Sequence, residues 1–334
     1  MKKYDGNHGS TQAVSRVGLY GPVILLALIV ASWSVFWIYS ARRADQAIQN
    51  WMMIEARKGR QWSCEDRKTQ GFPFRIELFC NAVRLQLADG RIVSTGALHA
   101  AAQVYSPSLV LADISSPFTI QKSEAIYKLN WDNFRLSLRY SGEGFERISA
   151  NIKTPQLHGP DGPLMLTASQ MEFHLRSTGD RSSIETAVAI ADLEGPMARW
   201  LSGGQAKTKF DMMTSITNPG FLSGSNFRAS MEQWRNSGGR FVLQKFEITQ
   251  DKMTISSQGE LQLDAFGRPE GQIKLSGQNL RPIVEKLPLG NAQPLIRGLL
   301  ERRDGSPVEL SVRLLDGRLN IGPIRTPPFL PSIY

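Results

Sequence analysis

Histidine and cysteine are scarce in this chain. Its 334 residues include four histidines, His8, His99, His158 and His174, and two cysteines, Cys64 and Cys80. The histidines form no HExxH or HxH pattern, and none lies near the cysteines in sequence. A metal centre built on a local ligand motif is therefore excluded. There is no GxSxG elbow to present a nucleophilic serine. There is also no Gly-Lys dipeptide, so the phosphate-cradling loop of P-loop enzymes, which needs GxxxxGK[ST], is absent.

One segment imitates a nucleotide motif. Leu201-Ser202-Gly203-Gly204-Gln205 spells the signature pentapeptide of ATP-binding-cassette ATPases. That pentapeptide acts only opposite a phosphate-cradling loop, so here it reads as a Gly-rich turn. Carboxylates are common but belong to no motif. The chain is read as a non-enzyme, with no catalytic, cofactor-binding or metal-binding residue assigned. Nucleic acid is rejected as a partner as well. The net charge is +9, but Lys and Arg are spread along the chain, with no basic helix and no basic–aromatic ladder. The excess of positive charge is either a solvated surface or an attraction to anionic phospholipid headgroups.

Charge is wholly missing from Val17 to Tyr39, VGLYGPVILLALIVASWSVFWIY. Such a run, at about 1.5 Å per residue, crosses a hydrocarbon core of about 30 Å. Arg16 bounds it on one side, Arg42 and Arg43 on the other. Trp33, Trp37 and Tyr39 crowd the second boundary, as aromatic belts do. Its bulky exit and its length argue for a retained signal-anchor rather than a cleaved signal peptide. The expected organisation is a tail (1–16), a transmembrane helix (17–40), a helical stalk (41–60) carrying Ala44, Ile48, Trp51 and Glu55 at helical spacing, and a β-rich domain (61–334). Flanking Lys and Arg do not by themselves favour an N-terminus inside, and long domains translocate largely regardless of them.

The two cysteines lie sixteen positions apart, just beyond the span. An oxidising compartment would use such a pair for one disulfide; two buried thiols are the other reading.

Beyond the stalk the period is two. Phe74, Ile76, Leu78 and Cys80 alternate with Arg75, Glu77 and Phe79; the alternation slips, then resumes at Val83, Leu85 and Leu87. A bulge or bend near Asn81 is expected. Asp89-Gly90 and Asp316-Gly317 read as hairpin turns. Phe134, Leu136, Leu138 and Tyr140 share one strand face, and Met171, Phe173 and Leu175 share another. Strands are also expected over Phe241 to Thr249, Met253 to Leu263 and Gln272 to Ser276. Phe227, Met231 and Trp234 mark a helix ended by Gly238-Gly239, and Arg281 to Leu300 is expected to hold two short helices split by prolines. The fold class is mainly β with a few helices: an N-terminal transmembrane helix followed by an extended, curved antiparallel sheet.

Several stretches in order resemble one family. They are Trp62 and Cys64 ahead of Gly71-Phe72-Pro73-Phe74-Arg75 and Cys80, then Ala102 to Val110, Ser237 to Phe241, Gly259 to Asp264, Gly271 to Gly277, and Leu315 to Pro323. The chain resembles the alphaproteobacterial domain of unknown function 2125 family, with a looser similarity of style to AsmA-like envelope proteins. The resemblance implies no activity and no catalytic residues. It implies a single-pass inner-membrane protein with a cytoplasmic N-terminus and a periplasmic domain. Two functions fit. In one, the apolar face of Phe134, Leu136, Leu138, Tyr140, Met171, Phe173 and Leu175 lines a trough for phospholipid or another amphiphile. In the other, the domain is a structural or partner-binding scaffold among envelope proteins.

Overall fold

The structure is a computed structural model that describes residues 16–142, 144–196, 198, 207–220, 227–280, 298, 307–321, 324–325 and 330–334. Apart from Gly298, the helices expected within Arg281 to Leu300 lie outside the described residues, as does Leu201 to Gln205.

Helix α1 (Arg16–Arg57) joins the apolar run and the stalk without a break. Its 42 residues extend about 63 Å at 1.5 Å per residue. It is long and apolar enough to cross a membrane, and its apolar window is not buried against the rest of the chain. At its end the amides of Lys58 and Gly59 bond back to Glu55 and Ala56. The chain then reverses and runs back along the helix. Trp62 packs on Trp51 with the rings tilted (centroids 5.3 Å apart), and Arg67 pairs with Asp45 at 3.0 Å.

The next seven extended passes share one device: each is split in two. β1 (Arg60–Cys64) leads to β2 (Lys68–Gln70), β3 (Arg75–Cys80) to β4 (Val83–Leu87), and β5 (Ile92–Thr95) to β6 (Leu98–Gln103). β7 (Ser106–Ile114) leads to β8 (Phe118–Lys122), and β9 (Ala125–Asn130) to β10 (Asn133–Ser141). β11 (Gly144–Lys153) leads to β12 (Gln156–His158), and β13 (Leu164–Thr167) to β14 (Gln170–Ser177). One half of each pass joins a seven-stranded sheet, β1-β4-β5-β8-β9-β12-β13. The other half joins a fifteen-stranded sheet. That sheet begins β2-β3-β6-β7-β10-β11-β14 and continues through β15 (Ser183–Leu193), β16 (Thr208–Thr217), β17 (Phe241–Gln250), β18 (Met253–Leu263), β19 (Pro269–Gln278), β20 (Val308–Leu315), β21 (Arg318–Ile321) and β22 (Ile324–Arg325). All pairings are antiparallel, and neither sheet closes into a barrel.

The slip between Cys80 and Val83 thus has a different cause from a bulge inside one strand. Cys80 belongs to one sheet and Val83 to the other, and the bend between them is one point on a seam. Backbone hydrogen bonds cross the seam from pass to pass: Asn81 N–H to Glu65 O (2.9 Å), Ser115 N–H to Ala97 O (2.7 Å), Asp132 N–H to Lys153 O (3.1 Å) and Thr154 N–H to Ser169 O (3.0 Å). The passes approach closely there. A Cβ on Gly96 would stand 2.8 Å from the carbonyl oxygens of both Ser115 and Ser116, so only glycine fits without a shift. Residues along this line are packed: Cys80, Trp131, Ile152 and Ala168 are all buried. The Trp131 indole N–H donates to Ile114 O at 2.8 Å, which satisfies its polar edge inside the seam.

The two cysteines are bonded, Cys64 to Cys80, with Cα atoms 5.2 Å apart. The bond links the last residue of β1 to the last residue of β3. It ties the two sheets together across the seam beside α1.

Helix α2 (Phe227–Asn236) interrupts the meander between β16 and β17. It buries Met231 and Trp234 against Leu263, with Ile216, Phe241 and Tyr334 packed around them. The Trp234 indole N–H donates to Thr217 O at 2.7 Å.

Candidate functional site

In an antiparallel sheet, residues paired across strands lie on the same face, so chains of pairs reveal rows. One row runs Leu78, Ala100, Ala112, Leu136, Ala150, Phe173, Val188, Met212, Phe246, Ser257, Leu275, Leu310. It crosses twelve strands from β3 to β20, and Ser257 is its one polar member. The Ser257 hydroxyl donates to Lys274 O at 3.2 Å, so even that group is turned onto backbone.

A second row lies two residues to one side: Phe134, Ile152, Met171, Ile190, Phe210, Ile248, Ile255. On the other side Ile76, Ala102, Val110, Leu138, Ile148 and Leu175 form a third. That row becomes polar at Thr186 and Thr214 before Leu243 restores it. Of the seven face residues read from the sequence, six therefore fall into three cross-strand sets: Phe134 with Met171, Leu136 with Phe173, and Leu138 with Leu175. Tyr140 stands apart. A register shift after Arg139 pairs it with Phe145 at the end of the sheet, where it is 42% exposed.

These residues are half-buried, unlike those of a filled core. Phe134, Leu136, Leu138, Met171, Phe173 and Leu175 are neither fully buried nor fully exposed. Full burial within these rows falls on Ala112, Ile152, Ile248, Thr214 and Ser257, and the other members stay half-buried. Ile152 lies by the seam, and Met231 and Trp234 of α2 close one end. A cavity of about 230 Å³ between α2 and the sheet is lined by apolar groups, among them Ile216, Phe241, Leu263 and Ile333.

The opposite face is polar. There Arg135, Ser137 and Arg139 on β10 meet Asn151, Ser149 and Arg147 on β11, followed by Glu172, His174 and Arg176 on β14. His174 Nδ1 lies 3.0 Å from the Ser149 hydroxyl. Arg176 pairs with Glu185, and Lys245 with Glu247. Clefts of about 650 Å³ and 450 Å³ run between side chains of this face, near Lys274 and Glu309 and near Arg135 and Asn151. His99 instead stacks on Phe79 with centroids 4.2 Å apart, and His158 contacts Gly162 O at 3.0 Å. Among the described residues no group of three or more His, Cys, Asp or Glu could hold a metal ion.

The sheet and the helix meet at the Gly71–Arg75 loop. The indole N–H of Trp33 donates to Pro73 O at 2.8 Å, and that of Trp37 to Arg75 O at 2.7 Å. Phe74 contacts the Trp33 ring and Phe72 meets the Trp37 ring edge-on, with centroids 6.0 and 5.6 Å apart. Tryptophans at the exit of the apolar run are legible in the sequence as an interfacial belt. Their contact with a loop about forty residues later carries no periodic signal. The same holds for the extent of the apolar rows into β15 and β16.

No curated protein and no solved structure matches this chain. A family model described as "Uncharacterized protein conserved in bacteria (DUF2125)" matches residues 37–329. The match starts inside α1, spans the seam, the disulfide and the apolar rows, and ends beyond β22. The chain belongs to this family of uncharacterized bacterial proteins.

Proposed function

We propose that this chain is a single-pass inner-membrane protein that handles amphiphiles. Its N-terminus lies in the cytoplasm and its β-rich domain stands in the periplasm. The apolar face of the long sheet binds the acyl chains of a phospholipid or a similar amphiphile. One observation carries the reading: the central apolar row continues over twelve strands, and all its members but Ala112 and Ser257 stay half-buried. Apolar surface of that extent is costly to leave against water and is usually a binding surface.

Dimensions and charge support the same occupant. At about 4.8 Å per strand the row spans about 50 Å. The acyl region of one leaflet, half of a hydrocarbon core, is about 15 Å thick, so the face is long enough for whole acyl chains. The net charge of +9 favours anionic headgroups beside it. A partner strand would find little to pair with at the sheet edges, since β2 has three residues, β13 four and β22 two, and the five-residue β1 lies beside α1. The reading is one of binding and assigns no chemical step.

The test is photocrosslinking in the native membrane. Benzoylphenylalanine is placed at Phe173, on the apolar face, and at His174, on the polar one, in otherwise intact protein. Mass spectrometry of the irradiated protein should find phospholipid adducts at 173 and none at 174. Protein adducts at 173, with no lipid, would replace this reading with that of a partner-binding scaffold.

A further inference from the structure

The span ends, in the sequence, among Trp33, Trp37 and Tyr39. The two tryptophans stand at i and i+4, so they project from the same side of α1, one turn apart. Both indole N–H groups are taken by the Gly71–Arg75 loop. The loop is therefore fixed at the level where the helix leaves the hydrocarbon.

It is also held in one shape. The Arg75 amide bonds to Gly71 O at 3.0 Å, closing the turn, and Gly71 has φ +109°, a conformation that side-chain-bearing residues rarely adopt. The Val104 amide bonds to Phe74 O at 3.0 Å and brings the β6–β7 turn alongside. Three aromatic side chains end up at this corner without cover: Phe72 is 55% exposed, Phe74 59% and Tyr105 65%. Phe36 of the helix, which packs on the Trp33 ring, is exposed too.

In water this corner would be one contiguous apolar patch. In a bilayer it is what the surroundings require. Carbonyl groups at membrane depth need partners, since little water is present to supply them. The two indoles supply partners to Pro73 and Arg75. Arg75 is mostly exposed beside the rings, and Arg42 and Arg43 follow the span within two turns, where long cationic side chains can reach lipid phosphates.

We propose that the Gly71–Arg75 loop is a second membrane contact. Phe72 and Phe74, with Tyr105 beside them, enter the interfacial layer of the leaflet from which α1 emerges. The occupant of this surface is the lipid bilayer itself. The contact fixes the sheet upright on the membrane, because β3 rises directly from Arg75 and carries the first members of two apolar rows, Ile76 and Leu78. The inference rests on α1 crossing a membrane and is independent of what the apolar face binds.

Both cysteines of the sequence are in the disulfide, so one introduced cysteine is the sole free thiol. Full-length Phe72→Cys and Phe74→Cys proteins, spin-labelled and reconstituted in phosphatidylethanolamine–phosphatidylglycerol vesicles, are compared with Leu28→Cys in the span and Glu124→Cys beyond the seam. Peptide mapping that finds Cys64 bonded to Cys80, with the label on the introduced cysteine, verifies the native disulfide in each variant. Labels at 72 and 74 should lose most of their accessibility to a water-soluble nickel complex relative to position 124, and gain oxygen accessibility toward that at 28. Nickel accessibility equal to that at 124 would overturn the proposal. If either phenylalanine variant fails to fold, Tyr105→Cys in the adjacent turn carries the same measurement, with the same two outcomes.

Discussion

The indole of Trp37 donates its hydrogen to the carbonyl oxygen of Arg75 at 2.7 Å, across 38 residues of sequence. The bond joins the last turns of the apolar run of α1 to the first residue of β3 in the long antiparallel sheet. Trp37→Phe keeps a ring against Phe72 but leaves that carbonyl without its donor. A hydrogen bond of this kind contributes about 0.5–1.5 kcal/mol net. The variant should loosen the loop locally, with faster hydrogen exchange at the Val104 amide, whose acceptor is Phe74 O. Exchange measured by mass spectrometry in lipid nanodiscs checks this; unchanged exchange would mean the Phe72 and Phe74 ring contacts hold the loop alone.

Neighbouring residues on one strand should respond oppositely. Leu136 lies on the apolar face and Ser137 on the polar face of β10. Leu136→Asp places a charge among Ala112, Ala150 and Phe173 and should reduce phospholipid recovered with the purified protein. Ser137→Asp should leave it unchanged. Equal lipid content in both, with both folded, would count against this face as the binding surface.

The disulfide closes a loop of sixteen residues between β1 and β3. On the chain-entropy account a loop of that length contributes about 3 kcal/mol. The Cys64→Ser, Cys80→Ser double variant should unfold at correspondingly lower denaturant. The strands flanking the seam should lose exchange protection before β17 to β19 do.

The turn from α1 into β1 has a pH signature. Glu55 accepts hydrogen bonds from the Arg60 guanidinium, one of them at 2.8 Å, and from Lys58. These partners, Arg60 foremost, lower its carboxyl from the ordinary 4.5 to about 2. The folded value lies below the unfolded one, so the carboxylate stabilises the fold fully above pH 4.5. That contribution is lost as the pH falls toward 2. Glu55→Gln should be less stable than the parent at neutral pH, and the gap should close across that window. Parallel denaturation curves at pH 7, 4 and 2.5 decide it.

Trp234→Ala should cost about 3–5 kcal/mol, the range for removing a buried aromatic. It removes both the packing on Met231 and Leu263 and the bond to Thr217 O. Limited proteolysis should then cut near α2 while the sheet stays intact.

Much of this architecture is local and was therefore readable. A charge-free run of hydrocarbon length reports itself by composition. Period-two alternation reports which residues share a strand face, as it did for Phe134, Leu136 and Leu138 and for Phe173 and Leu175. Asp-Gly pairs and the Phe227–Met231–Trp234 stripe announce turns and a helix because their signals lie within a few residues. The slip after Cys80 was legible as an irregularity but not as a seam. A seam is made by seven passes bending at one level, and each slip is visible only within its own pass.

The sequence by itself determined the apolar helix, the strand faces and the family. It left open whether Cys64 meets Cys80, because proximity across sixteen residues depends on how β1 and β3 are laid side by side. The register that aligns Leu78 with Leu310 over twelve strands is likewise a property of the assembled sheet. So is the seating of Phe72 and Phe74 on the tryptophans of the span. Those contacts join residues far apart in sequence, and no periodicity along the chain encodes them; cross-strand hydrogen bonding and side-chain packing decide them only when the whole sheet is in place.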